Sequence, residues 1–413
     1  MICDRFAVAP EVASCVASRM WPPVHGLARA FPSARSGFVS CDRSRIDWQL
    51  RRGLPAADRS ARRPDLQRWG TTARRMTTTV LTGIKPTGTP HLGNLLGAIR
   101  PALRLASDPA LRAFYFIADY HALTTVHDRG ELRRLTREVA ATWLAFGLDL
   151  DLGSERVLLY RQSDVPEVFE LTWILACFTA KGWMNRAHAY KAKTAENELA
   201  GNPDLDAGIG MGLYLYPILM AADILLFEAD LVPVGEDQKQ HIEIARDIAQ
   251  RVNHSYGAEL LKLPSALVDA GAAVVPGRDG RKMSKSYDNT IPLFAPPSAL
   301  RKLVNAIVTD SSPPEAPKDP ASSVVFKIYE QFAQPDAVSA LRRRYQEGIS
   351  WGEAKAALLA VLLPLLAEPR ERYQALMADP RRIDDLLAAG RERARALARP
   401  VIDRLRSAIG IAG

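Results

Sequence analysis

Cysteine is scarce in this chain. Cys3, Cys15, Cys41 and Cys177 are the only four in 413 residues. They have neither the density of a disulfide framework nor the paired spacing of a metal site, so a reducing, cytoplasmic setting is expected and no metal-ligating residues are. Long apolar runs are also missing. The longest uncharged one near the C-terminus, 356–367, has 12 residues and is interrupted by Pro364. That is too short to cross a bilayer, and no membrane partner is expected. No N-terminal stretch has the positive, then apolar, then small-residue order of a secretory signal. No internal repeat is visible. An apolar fraction of 47% and a charged fraction of 24% are those of a globular protein, and the length allows two or three domains.

Lysine is absent from the first 75 residues, which hold 14 arginines and six acids. The net charge of +8 resides there, because the other 338 residues balance 40 basic against 40 acidic side chains. The high isoelectric point is therefore no sign that the body binds nucleic acid. Residues 1–75 also carry three of the four cysteines and no sustained helical or strand period. Three readings stand for this segment: upstream sequence translated from a misassigned start, with Met76 the initiator; a disordered basic appendage that assists RNA binding; or a transit peptide, which the six acids do not suit.

Two short motifs carry the chemistry. Lys282-Met283-Ser284-Lys285-Ser286 follows Gly277, Gly280 and Arg281 and reads as a polar loop. Two ammonium groups on such a loop suit a polyphosphate whose charge moves during reaction; the plainer reading is a solvated lysine loop. Far upstream, the β-branched run Thr79-Val80-Leu81-Thr82-Gly83-Ile84 reads as a strand. The turn Lys85-Pro86-Thr87-Gly88-Thr89-Pro90 follows it, and then His91-Leu92-Gly93-Asn94 opens an apolar helix. His91 and Asn94 beside free N–H groups at a helix start suit a triphosphate, and Gly93 lets a nucleoside approach the backbone.

From 76 onward strands and helices alternate. Ala113–Ala118, Val157–Tyr160 and Val232–Val234 read as strands. Glu131–Gly147 and His241–Val252 read as helices. Alternation predicts βαβ units and a doubly wound, Rossmann-type parallel sheet, an α/β fold with ligands at the carboxyl ends of its strands. After Ile291-Pro292 the strand signal ends, and helices are expected at Leu300–Val308, Val324–Phe332, Val338–Tyr345, Gly352–Leu366 and a long C-terminal stretch. The expected organisation is an α/β catalytic domain over 76–294 and a C-terminal α-helical domain over 295–413. Arg391, Arg393, Arg395 and Arg399 could meet an RNA backbone, or form a solvated face with pairs such as Glu392 with Arg395.

Residues 208–227 are apolar except for Asp223. A helix apolar on all sides is buried, and a buried carboxylate needs a partner or a ligand. Tyr216, Met220 and Asp223 recur at i, i+4 and i+7, on one helical face. That face suits a flat aromatic ligand with one N–H or O–H donor. A carboxylate paired within the fold is the other reading.

On these motifs the chain resembles the class I aminoacyl-tRNA synthetases, whose two signatures are the His-x-Gly helix start and the K-M-S-K-S loop. Residues 216–225 and Val232-Pro233-Val234-Gly235-Glu236-Asp237-Gln238-Lys239-Gln240-His241-Ile242-Glu243 resemble the bacterial tryptophanyl branch, and the similarity runs from about Val80 to the C-terminus. The tyrosine-specific branch carries glutamine at the place of Met220. The resemblance implies ATP and Mg2+, L-tryptophan and tRNA(Trp) as partners, and a homodimer. It implies that Asp223 accepts the indole N–H. Gly83, Tyr216, Met220, His121, Val232, Val234 and Gln238 would line the tryptophan site. Lys85, Pro86, Thr87, Gly93, Asn94, Gly235, Glu236, Asp237, Ala273, Met283, Ser284 and Ser286 would contact ATP. His91, Asn94, Lys282, Lys285 and the loop residue Lys193 would act on its phosphates. Two departures stand out: Lys85 replaces the family's glutamine, and Leu81 replaces a ring-facing aromatic. A non-acylating paralogue that regulates by binding tryptophan or RNA is a second reading. A small-molecule adenylyltransferase is a third, which lacks the lysine loop.

Overall fold

The computed structural model describes residues 78–150, 156–268 and 275–411. The readings offered for 1–75, the adenine contact at Ala273 and the side chain of Asp237 lie outside what is described. Five strands form the centre: β1 Thr78–Ile84, β2 Leu111–Ile117, β3 Val157–Arg161, β4 Leu231–Val234 and β5 Ser265–Val268. All pair in parallel, in the order β3-β2-β1-β4-β5. The chain therefore winds outward from β1 in both directions, and the switch point lies between β1 and β4. The expected doubly wound sheet is what forms. Only β5 had no sequence signal, being four residues long behind Leu263-Pro264.

Strands buried on both faces are apolar on successive residues, and the sheet divides them by parity. Leu81, Phe114, Phe116, Leu158 and Tyr160 point into one core, where the helices Glu167–Phe178, Met211–Leu226 and Lys239–Tyr256 pack. Tyr115, Ile117, Val157 and Leu159 point into the other, shared with the helices Arg129–Ala145 and Trp351–Ala378. The helical stretch after 294 lies on both cores. Leu358 and Leu362 belong to the second, while Ala394, Ala398 and Ile402 of the last helix, Pro380–Ile409, belong to the first. Phe294, at the expected boundary, stacks on Tyr373 with centroids 3.8 Å apart.

Two of the four arginines, Arg393 and Arg395, are drawn into this docking, which corrects the expectation of a continuous solvated or RNA-facing row; Arg399 stays exposed and Arg391 keeps to its own helix. Arg393 donates to the Val157 carbonyl at 3.1 Å. Arg395 pairs with the buried Glu167 at 3.0 Å, and Arg406 grips Glu170 with two nitrogens. Glu392 pairs with Arg391 at 2.9 Å instead of Arg395. The cause is geometric: once Ala394 and Ala398 face the core, the arginines beside them fall against the rim of β3.

Candidate active site

The two motifs meet. The Leu92 N–H donates to Ile291 O at 3.0 Å and the Leu293 N–H donates to Pro90 O at 3.0 Å, so the chain leaving the lysine segment is laced to the start of the His91 helix. Lys285 Nζ donates to Gly88 O at 2.6 Å across 197 residues. Gly88 has φ +128°, and a Cβ there would lie 2.9 Å from the Lys285 side chain; glycine is what allows the contact. Partial burial holds the Lys285 ammonium below the usual lysine range. Lys282 is exposed.

The polar-loop reading missed one anchor. Met283 is buried with Leu92, Val275 and Ile291, which fixes the middle of the segment while Lys282 and Ser286 are exposed; Ser284 and Ser286 share a hydroxyl contact of 2.8 Å. Asn289 organises the rest. It is buried, accepts from the Ser284 N–H at 2.8 Å, and donates to Asp279 at 2.7 Å and to the Lys282 carbonyl at 3.1 Å. Replacing Asn289 with alanine should let the segment drift by an ångström or so. The rate of any reaction that the segment's lysines assist should then fall about 10- to 100-fold, and trypsin should cut faster after Arg281 or Lys282. Unaltered proteolysis together with an unaltered rate would show that the segment holds itself.

At the helix start, Asn94 Oδ1 accepts the His91 N–H at 3.1 Å, a local cap. His91 itself is buried, and its Nδ1 has no partner. Burial, with the charge of Lys285 adding to it, pushes its pKa down to about 4. The imidazole is neutral at physiological pH, and its Nδ1 is a buried polar atom without a protein partner. The helix continues as a π turn over Leu95–Ile99 before Arg100–Ser107. Gly97 and Ala98 of that turn reach the wall of a cavity; such turns are frequent at functional sites.

The cavity has a volume of 580 Å³ and lies at the carboxyl ends of β1 and β4, at the switch point. Gly83, Lys85, His121, Tyr216, Met220, Asp223, Val232, Val234, Gly235 and Gln238 all line it. Tyr216, Met220 and Asp223 share the inward face of the helix Met211–Leu226. Lys85 donates to Thr124 at 2.7 Å on the cavity wall. Leu81 also lines it, but the aromatic ring comes from elsewhere. Phe116 of β2 is part of the wall and stacks on Tyr160 at 5.8 Å. A Cβ on Gly83 would stand 2.5 Å from the Phe116 ring, so that glycine leaves the ring its place.

Asp223 is both a cavity residue and a paired one. It is 1% exposed. Gln162 Nε2 donates to its Oδ1 at 3.0 Å and its Oδ2 at 2.8 Å, and His121 Nε2 lies 3.1 Å from Oδ2. Burial pushes its carboxyl up, against the pull of His121 and Gln162. Gln162, Phe116 and Asn289 are the residues that sequence reasoning missed. Gln162 follows β3 directly, and the carboxyl end of a parallel strand was the available clue.

Lys193 requires a correction. It lies on the helix His188–Leu199 instead of a loop, bonded to Glu196 at 2.8 Å, and it does not line the cavity. The run from Ala189 to Glu198 has seven alanines, lysines and glutamates in ten residues, all strong helix formers, with Lys193 and Glu196 paired one turn apart. Pro86, Thr87, Gly93 and Glu236 lie outside the cavity wall. The first two form the turn after β1, where the Thr87 N–H bonds Lys85 O at 3.0 Å, and Glu236 opens a short 3-10 turn.

A doubly wound sheet, a His-x-Gly helix start and a K-M-S-K-S segment laced to it define the catalytic core of a class I aminoacyl-tRNA synthetase. The family model of class I tRNA synthetases (W and Y) matches residues 73–367. Tryptophan--tRNA ligase of Pseudomonas aeruginosa is 55% identical over 338 residues, covering 81% of this chain and 74% of that protein. The Xanthomonas campestris pv. campestris ligase is 52% identical, covering 82% and 77%. A crystal structure of tryptophanyl-tRNA synthetase from Campylobacter jejuni, complexed with ADP and tryptophan, superposes with a TM-score of 0.72 at 40% identity, covering 81% of this chain and all of that one. The chain belongs to the class I tRNA synthetase family that comprises the tryptophan and tyrosine enzymes.

Proposed function

We propose that this chain activates L-tryptophan with ATP, forming tryptophanyl-adenylate and pyrophosphate, and then transfers tryptophan to the 3′ end of tRNA(Trp). The observation that carries this reading is Asp223, a buried carboxylate acceptor in the wall of a largely apolar cavity at the carboxyl ends of β1 and β4. The volume lies in the range of ~300–1,000 Å³ usual for small-molecule sites. Met220 at the wall suits an indole face; a phenol would need a hydrogen-bonding side chain there.

In the first step a tryptophan carboxylate oxygen attacks the α-phosphorus, and the bond from that phosphorus to the bridging oxygen of pyrophosphate breaks. Lys282 and Lys285 neutralise the departing pyrophosphate, and His91 and Asn94 hold the phosphates at the helix start, so the work is positioning and charge stabilisation. Mg2+ would enter with ATP, held by the phosphates themselves. Among the described residues no group of three His, Cys, Asp or Glu side chains could hold it. In the second step the terminal ribose hydroxyl of tRNA attacks the acyl carbon and AMP leaves. The helices after 294 would face the tRNA, with Arg381 and Arg382 exposed on the last of them. A homodimer is part of the proposal; Trp173 at 73% and Met211 at 64% exposure offer apolar surface to a second copy. A cytoplasmic setting belongs to the same reading. Among the described residues no helix is long and apolar enough to cross a membrane.

The test is charging of tRNA(Trp) with labelled tryptophan, read on acid gels. Charged tRNA is expected. Tryptophan-dependent pyrophosphate exchange without any charged tRNA would refute the transfer step and favour the regulatory paralogue.

A further inference from the structure

We infer that Gln162 is the positioning residue through which Asp223 acquires its preference for a ring N–H. The inference rests on the tryptophan reading above. Gln162 opens the short 3-10 turn after β3 and is 0% exposed. Its Oε1 accepts the backbone N–H of His121 at 3.3 Å, which orients the amide and turns Nε2 inward. Nε2 then bonds both carboxylate oxygens of Asp223.

A carboxylate offers about four lone-pair sites. Oδ2 takes two contacts, from Gln162 and His121, and Oδ1 takes one, from Gln162. The remaining site is on Oδ1, and Asp223 lines the cavity. Gln162 therefore does two things: it fixes the rotation of the carboxylate, and it favours the ionised acceptor form at a place where burial favours the neutral one. A buried acceptor held in this way penalises a substrate that lacks the matching donor. His121 cannot replace this role, since its ring reaches only Oδ2.

The experiment compares two substrates in ATP–pyrophosphate exchange: L-tryptophan and L-β-(benzothiophen-3-yl)alanine, which has sulfur in place of the ring N–H. The readout is the ratio of their kcat/KM values, which does not depend on the fraction of folded enzyme. Wild type should prefer tryptophan. In Gln162→Met the ratio should fall about 10- to 100-fold, through loss of tryptophan activity and little change for the sulfur analogue. In Asp223→Ala the ratio should fall likewise, and adding Gln162→Met to it should change the ratio no further. A Gln162→Met enzyme that keeps the wild-type ratio would overturn the inference and leave Gln162 as packing. A wild type that does not distinguish the two substrates would instead sink the tryptophan reading itself.

Discussion

Replacing Lys285 with alanine is expected to slow amino-acid activation by roughly 10²–10³, the loss typical of one donor aimed at transition-state charge. The structure gives the reason for so large an effect at one exposed-looking motif. Met283 and Asn289 pin the segment from within, and Lys285 is the side chain that spans from it to the His91 turn, at Gly88 O. That carbonyl contact is a resting position, which an incoming polyphosphate would compete for. Lys285 is not in the cavity wall, so the tryptophan KM should stay within about twofold while kcat falls, the signature of an interaction made only in the transition state. Exchange kinetics at saturating ATP read both numbers. A near-wild-type kcat would remove Lys285 from the mechanism, and a matching rise in KM would make it a substrate-binding residue.

Asp223→Ala should cost tryptophan about 2–4 kcal/mol of transition-state binding, or roughly 30- to 1000-fold in kcat/KM. The scale follows from what is left behind. The indole N–H loses its acceptor, and the Gln162 amide and His121 ring lose theirs in the same buried place. Phenylalanine has no ring donor, so its activation should fall much less or rise. Steady-state exchange with both amino acids checks this. Equal losses would make Asp223 a purely structural carboxylate, whose role is to tie the helix Met211–Leu226 to β3.

Much of the fold was legible because its signals are local. β1 to β4 carry β-branched or aromatic runs, and the helices between them carry a 3.6-residue period. Both survive in the structure within a few residues. β5 and the helix His188–Leu199 were not legible for opposite reasons: the strand is too short to show a period, and a lysine-bearing helix exposed on one side reads like a loop. The site divides the same way. Tyr216, Met220 and Asp223 could be grouped because one helix spaces them. Phe116 and Gln162 could not, since Phe116 reaches the wall from β2 and Gln162 reaches Asp223 from the turn after β3, and only the parallel register β1-β2-β3 brings them together. The arginines of the last helix illustrate the limit of charge reading. Their partners Glu167 and Glu170 lie more than 220 residues away in sequence, so no local pattern could reveal them.

The most direct measurement of the central claim is ATP–pyrophosphate exchange with tryptophan and tyrosine side by side on one preparation of the full chain. The cavity, with Met220 on its wall and Asp223 held as a fixed acceptor, predicts exchange that depends on tryptophan, with tyrosine lower by at least about two orders of magnitude. Equal exchange with both amino acids, or exchange with tyrosine alone, would contradict it.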